Sequence, residues 1–215
     1  MKSYRECFTN RYFIVSFFSS FILLIVSFVV QAIASSYVTR SMSGSVADIV
    51  LSNIPVYNVG GIFVWGTVAL LVIGVLVSLR TIRYVPFAVK SVAIFSLIRS
   101  FFVSLTHISP FPTRLLIDSR FFSDTFVFNG IFNGNDLFFS GHTGLPFLLA
   151  LMFWDNKKLR YIFLGFSITF AVVVLLGHLH YTIDVLAAYF ITYTIFHICK
   201  YLFKRDWQMF QGNPQ

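Results

Sequence analysis

Long apolar runs dominate this chain, with polar positions confined to short clusters between them. Six runs stand out, over residues 12–33, 61–79, 87–108, 137–154, 161–176 and 183–203. Each approaches the ~20 residues that an α-helix needs to cross a bilayer, the fourth and fifth being at the short end. The pattern predicts an all-α integral membrane protein, a six-transmembrane-helix bundle. No repeat or linker interrupts it, so residues 1–215 read as a single membrane-embedded domain. Asn53, Pro55, Asn58, Gly60 and Gly61 punctuate the first loop, Pro86 breaks the second, and Pro110 and Pro112 open a long loop over 109–135. Residues 45–54 are expected to lie as a short amphipathic helix on the membrane surface. The polar tail from Lys204 is expected to fray. Ala32-Ile33-Ala34 matches a signal-cleavage pattern, but the apolar run before it exceeds the roughly 7–15 residues of a signal h-region, so a retained span is expected.

Composition sharpens this picture. A hydrophobic content of 57%, only 11% charged residues and a mean hydropathy of +0.81 exclude an ordinary soluble domain. The 28 phenylalanines point to a lipid-facing surface more than to a water-soluble core. A net charge of +8 would suggest nucleic acid in a soluble protein, but its distribution argues otherwise. Lys2, Arg5 and Arg11, then Arg80, Arg83 and Lys90, then Lys157, Lys158 and Arg160, then Lys200, Lys204 and Arg205 gather at alternate ends of the runs. By the positive-inside rule those ends are cytoplasmic, and both termini with them. The basicity encodes topology, and no nucleic-acid partner is expected. Arg40, Arg114 and Arg120 lie on the other side with Asp48, Asp118, Asp124 and Asp136. Cys7 and Cys199 fall on the cytoplasmic side and read as reduced thiols. Trp65, Trp154 and Trp207 read as interfacial anchors.

Candidate chemistry concentrates at the opposite, extracytoplasmic ends. Gly177-His178-Leu179-His180-Tyr181-Thr182-Ile183-Asp184 places two histidines and an aspartate between apolar spans, where ionisable groups are costly. A helix beginning here would stack His180 and Asp184 on one face, the carboxylate holding one imidazole nitrogen and leaving the other to attack. Asp136 to Gly144 forms the second cluster. Gly141 permits close backbone approach, N–H groups near a helix start bind anions, and Ser140 and Thr143 add hydroxyls. Pro146 kinks this helix or marks its start: either the Ser-Gly-His turn dips below the surface or the helix begins at Asp136 and bends. Arg99, inside the third run, suits a phosphate or an internal pair with Asp184. Asp136 suits a helix cap or a cationic headgroup. His178 reads as structural, although His-x-His with carboxylates nearby is also the material of a metal site. His107 lies near the same end, and His197 far from it.

Ser140-Gly141-His142-Thr143, then His180-Tyr181-Thr182-Ile183-Asp184 with Ala188-Tyr189, and Arg99, Thr106 and Pro110 upstream, resemble the sphingomyelin synthase branch of the type 2 phosphatidic acid phosphatase superfamily. The resemblance spans roughly 99–189. It implies a six-helix bundle with an extracytoplasmic active site and, by analogy, a place in a bacterial inner membrane. It also implies that His180 is the nucleophile on phosphorus, that Asp184 orients it, and that His142 protonates the leaving oxygen and then deprotonates the acceptor. Arg99, Asp136, Ser140, Gly141, Thr143 and Tyr181 become substrate-binding candidates, with a membrane lipid donor, a lipid or water acceptor, and no metal or cofactor. The residues themselves suggest the same division of labour, since covalent transfer requires a nucleophile, an orienting group and an acid–base residue. The superfamily's phosphatases usually carry an arginine six residues before the final histidine. Val174 stands there instead, as in the sphingomyelin synthase branch, which leaves Arg99, Arg114 or Arg120 to neutralise phosphate. The implied activity is headgroup transfer between lipids. Lipid phosphate hydrolysis and catalytically idle lipid binding are the rival readings.

Overall fold

The computed structural model describes residues 4–117 and 136–212, and among these all regular structure is helical. The elements are α1 (Tyr4–Thr9), α2 (Arg11–Arg40), α3 (Gly60–Arg80), a 3-10 turn (Ile82–Tyr84) leading into α4 (Val85–Thr106), α5 (Gly141–Met152), α6 (Lys157–Leu176), α7 (Thr182–Leu202) and α8 (Lys204–Gln211). Five stretches are long and apolar enough to cross a membrane, namely Arg11–Arg40, Gly60–Arg80, Ile82–Thr106, Lys157–Leu176 and Thr182–Leu202. They fit an integral membrane protein. Arg120, Asp118 and Asp124 lie outside the described residues.

The fourth predicted run departs from expectation. Its helix is only the 12 residues of α5, which rise roughly 18 Å against a ~30 Å hydrocarbon core. The cause is local: Ser140 is extended (φ −60°, ψ 111°) and its hydroxyl accepts from the Thr143 N–H at 3.4 Å, so the helix starts after it. Pro146 then sits inside the helix. Short as it is, α5 is the hub of the bundle, packed on α6 and α7 and touching α4. Gly144 makes that closeness possible, because a Cβ there would lie 2.8 Å from Thr192 Oγ1 and 2.9 Å from the Phe95 ring. Phe87, Phe139, Leu148, Ala150 and Phe163 are wholly buried around it. Phenylalanines therefore serve both surfaces, since Phe18, Phe101 and Phe190 face outward.

The helix α2 lies along α4, joined by a Ser96 hydroxyl donating to Gln31 Oε1 at 2.6 Å. By contrast α3 is peripheral, with Leu70 its one buried residue. Residues 45–54 form turns rather than the expected surface helix. The Asp48 carboxylate takes the Val50 and Leu51 N–H groups (2.9 and 3.1 Å), an alternative to helical bonding, and Leu51 is buried.

As far as Gly212 the tail does not fray. It forms α8, in which Asp206 is 1% exposed and accepts from Lys90 Nζ (2.7 Å), the Ser16 hydroxyl (2.6 Å) and the Tyr12 hydroxyl (3.0 Å). Lys90 also donates to Ser16 Oγ at 2.7 Å. Trp207, expected as an interfacial anchor, instead packs on Phe87 (4.9 Å between centroids), while Trp65 and Trp154 are exposed. This network ties α2, α4 and α8 at the end of the bundle remote from His142 and His180. Removing one partner leaves a buried charge uncompensated, so Lys90→Met is expected to destabilise the protein by about 3–5 kcal/mol. Lys90→Met with Asp206→Asn should recover part of that loss, and thermal unfolding in detergent measures both.

Candidate active site

Because α5 is short, residues 136–140 run as irregular backbone into the bundle, and their polar groups need partners there. Arg99 of α4, buried at 8% exposure, supplies donors to two of their carbonyls and to the Asp136 carboxylate. Its Nε donates to the Phe139 carbonyl at 2.9 Å, one terminal nitrogen pairs with the Asp136 carboxylate, and the other donates to the Asp136 carbonyl. The arginine is thus paired internally, with Asp136 rather than Asp184, and Asp136 is its counter-ion rather than a cap. The guanidinium lies directly beneath Gly141, where a Cβ would meet Arg99 Nε at 3.3 Å. The Ser140 N–H donates to the Asp184 carbonyl at 3.1 Å, which joins the two motif-bearing segments.

The second segment is a turn between α6 and α7. His178 adopts a left-handed conformation (φ 51°), and the Leu179 and His180 N–H groups both point at the Val174 carbonyl (2.8 and 3.4 Å). Helix α7 starts only at Thr182, so His180 precedes it and does not share a helical face with Asp184. The pair meets across the helix start instead. Asp184 Oδ2 accepts from the Tyr181 N–H at 2.9 Å and lies 3.4 Å from His180 Nδ1, whose angle makes no hydrogen bond and which has no other partner. Both side chains are buried. His142, second residue of α5, stacks near Phe63 (4.2 Å) and Phe170 (5.8 Å) and is within electrostatic reach of His180 and Arg99.

Two loops cover this end. One carries Asp48, whose Oδ2 accepts from the Thr182 N–H at 2.7 Å and whose Oδ1 accepts from the Thr182 hydroxyl at 2.8 Å. Burial alone would raise the Asp48 pKa, but the donors from Thr182, Leu51 and Val50 outweigh it and hold the carboxyl below its usual range. The other loop follows α4. The Tyr181 hydroxyl donates to the Ser109 carbonyl (2.8 Å) and accepts from the Val46 N–H (3.3 Å), so it links both loops. Tyr181 is 2% exposed, placed to brace the turn. Thr113 Oγ1 bonds His178 Nδ1 at 2.6 Å, and the Leu115 N–H donates to the Gly177 carbonyl at 2.9 Å. Burial pushes the His178 pKa down, with the Ile54 backbone and Asp48 opposing it.

Arg114 sits between those two contacts, its Nε buried without a hydrogen-bond partner. Burial lowers its pKa, and nearby Asp136 acts in the other direction. Among the sequence-derived candidates, Ser140 is a helix cap, Thr143 is fully buried with an unpartnered hydroxyl, and His107 ends α4 against Tyr37 (5.0 Å). Asp48 was not singled out. An aspartate in a loop carries no periodic signal, and its partner Thr182 lies 134 positions away. No group of three or more His, Cys, Asp or Glu among the described residues is arranged to hold a metal ion.

No curated protein and no solved structure matches the chain. Residues 133–201, which hold both histidine segments but less than half of the chain, match the family model described as PAP2 superfamily C-terminal. That match supports a lipid phosphatase or phosphotransferase of the PAP2 superfamily.

Proposed function

We propose that the chain is a membrane-embedded phosphotransferase that moves a phospho-headgroup between lipids through a phosphohistidine on His180, in the manner of the sphingomyelin synthases it resembles. The observation that carries this reading is the Asp184 carboxylate 3.4 Å from His180 Nδ1, with His142 from a different helix in electrostatic reach. With the Nδ1 proton facing Asp184, the Nε2 lone pair attacks phosphorus. The P–N bond forms as the bond to the donor's oxygen breaks, and His142 delivers a proton to that oxygen. In the second half, His142 takes the proton of an acceptor hydroxyl whose oxygen attacks phosphorus, and the P–N bond breaks. The His180–Asp184 contact is expected to tighten once substrate is bound, as such bonds commonly do.

The same proposal includes a six-crossing topology with α5 as a short fourth crossing, both termini cytoplasmic and the site extracytoplasmic in a bacterial inner membrane. It places phosphate at the start of α5. There no described residue accepts from the Gly141 or His142 N–H, and helix starts attract anions. Arg99 is already neutralised by Asp136, so Arg114 is the cation we assign to the donor. Val174 is wholly buried against Leu179 and Val185, so the position of the phosphatases' arginine is filled by apolar packing. A lipid phosphate phosphatase would use the same steps with water as acceptor, and the superfamily-level match favours it equally.

Lipid mass spectrometry of a host expressing the wild type beside His180→Ala tests the mechanism. New headgroup-bearing lipids are expected only with the wild type, and undiminished product from His180→Ala defeats the proposal. His142→Ala should lower turnover roughly 10²–10⁴-fold. If both variants bind lipid as the wild type does and no product forms with any chain, the protein is an idle lipid binder. For the acceptor, purified enzyme is given donor with and without ceramide or diacylglycerol: headgroup on the added lipid identifies a transferase, free phosphate without it a hydrolase. Arg114→Gln should raise KM for the anionic donor about 10–100-fold, the worth of one charge-assisted bond.

A further inference from the structure

His180 lies outside α7, so its aim depends on what holds the turn over 177–184. Part of that hold is local, from the Val174 carbonyl and the Asp184 carboxylate. The N-cap residue of α7, Tyr181, makes no side-chain capping bond, since its hydroxyl sits at the far end of the ring and bonds the two loops. The cap comes from Asp48 instead. Both its oxygens are engaged by Thr182, one by the N–H at 2.7 Å and one by the hydroxyl at 2.8 Å, and the latter oxygen also gathers the Val50 and Leu51 N–H groups of its own turn. Asp48 is 8% exposed, so water competes little for these bonds. A carboxylate accepting from a helix start is charge-assisted and favoured by the helix dipole. Two donors on one residue fix rotation as well as distance.

We propose that Asp48 is a positioning residue for His180: its two-point grip on Thr182 sets the orientation of the 180–184 turn and so aims the imidazole at phosphorus. This rests on the reading of His180 as nucleophile. A misplacement of about 1 Å at a reacting group costs on the order of 10²-fold in rate, while a general loss of packing would lower stability without selecting kcat.

The test uses full-length protein in detergent, with orthovanadate as a probe of the phosphorus site and the lipid donor for turnover. Asp48→Ala should lower kcat on the order of 10²-fold at little-changed KM and weaken vanadate binding, read by thermal shift, by a similar factor. Thr182→Ser should behave as wild type, Thr182→Val should fall between, and Thr182→Val added to Asp48→Ala should cost nothing further. Wild-type kcat and vanadate affinity in a folded Asp48→Ala protein would overturn the inference, as would losses at the two positions that simply multiply. Should Asp48→Ala not fold, the threonine pair decides: Thr182→Val equal to Thr182→Ser in kcat and vanadate affinity overturns it, and a deficit only in Thr182→Val sustains it. A wild type that turns over no lipid and binds no vanadate removes the phosphohistidine reading and this inference together. A wild type that binds vanadate beside an equally competent Asp48→Ala removes this inference alone.

Discussion

A helix too short to span the bundle sets the terms for everything around it. Once α5 begins at Gly141, the five residues before it carry peptide groups into apolar surroundings, where unpaired N–H and C=O groups are expensive. Arg99 accepts that task. Its fork takes the carbonyls of Asp136 and Phe139, and the Asp136 carboxylate balances its charge. The Ser140 N–H is left over and goes to the Asp184 carbonyl. Satisfying the backbone of one segment therefore brings it against the start of α7, and the two histidine-bearing segments become neighbours for reasons that need no substrate.

The opposite end of the bundle solves a different problem with similar means. There Lys90 and Asp206 are buried, and hydroxyls of Tyr12 and Ser16 complete their shells. This lock holds α2 against α4 and seats α8. Among the described residues, the end with His142 and His180 has no comparable ion pair joining two helices; Arg99 pairs with Asp136 in the segment before α5. It relies on loops stitched by hydrogen bonds through Tyr181, Thr113 and Asp48. One end is fastened for rigidity, while the other is assembled from separable parts, the arrangement expected where ligands enter.

The five long helices could be read from hydropathy because burial in lipid demands uninterrupted apolar runs; four have bounds within four residues of the expected ones, while α2 runs seven residues past its expected end, to Arg40, into the expected loop. What hydropathy could not convey was the shortness of α5, since residues 137–140 are as apolar as the helix they precede. That outcome turns on Ser140 capping and on tertiary partners for the backbone. The docking of α8 was hidden by its polar composition: Asp206 looks solvated until Lys90, 116 positions away, is brought to it. The His180–Asp184 spacing was visible, but the geometry behind it is a turn stabilised by the Asp184 carboxylate accepting from the Tyr181 N–H rather than a helical face. Arg99's partner and Asp48's role rest on contacts across long separations, which no local pattern encodes.

The two helix starts at the site differ in a way that bears on the proposed chemistry. At α7 the donors are taken by carboxylates, Thr182 by Asp48 and Tyr181 by Asp184. At α5 the cap is the neutral Ser140, which occupies the N–H groups of Thr143 and Gly144 and leaves those of Gly141 and His142 without a described partner. Both starts carry the positive end of a helix dipole, but only one is neutralised. On the proposed function a phosphate would be repelled from the start of α7 and drawn to that of α5, beside His142. The same carboxylates fasten the turn that carries His180, Asp184 through the Tyr181 N–H and Asp48 through Thr182. On the proposed mechanism the nucleophile stands on the negative side of the pocket, where the positive charge its imidazole gains on attack is balanced, and the electrophile on the positive side, where charge developing on the phosphoryl oxygens is best met.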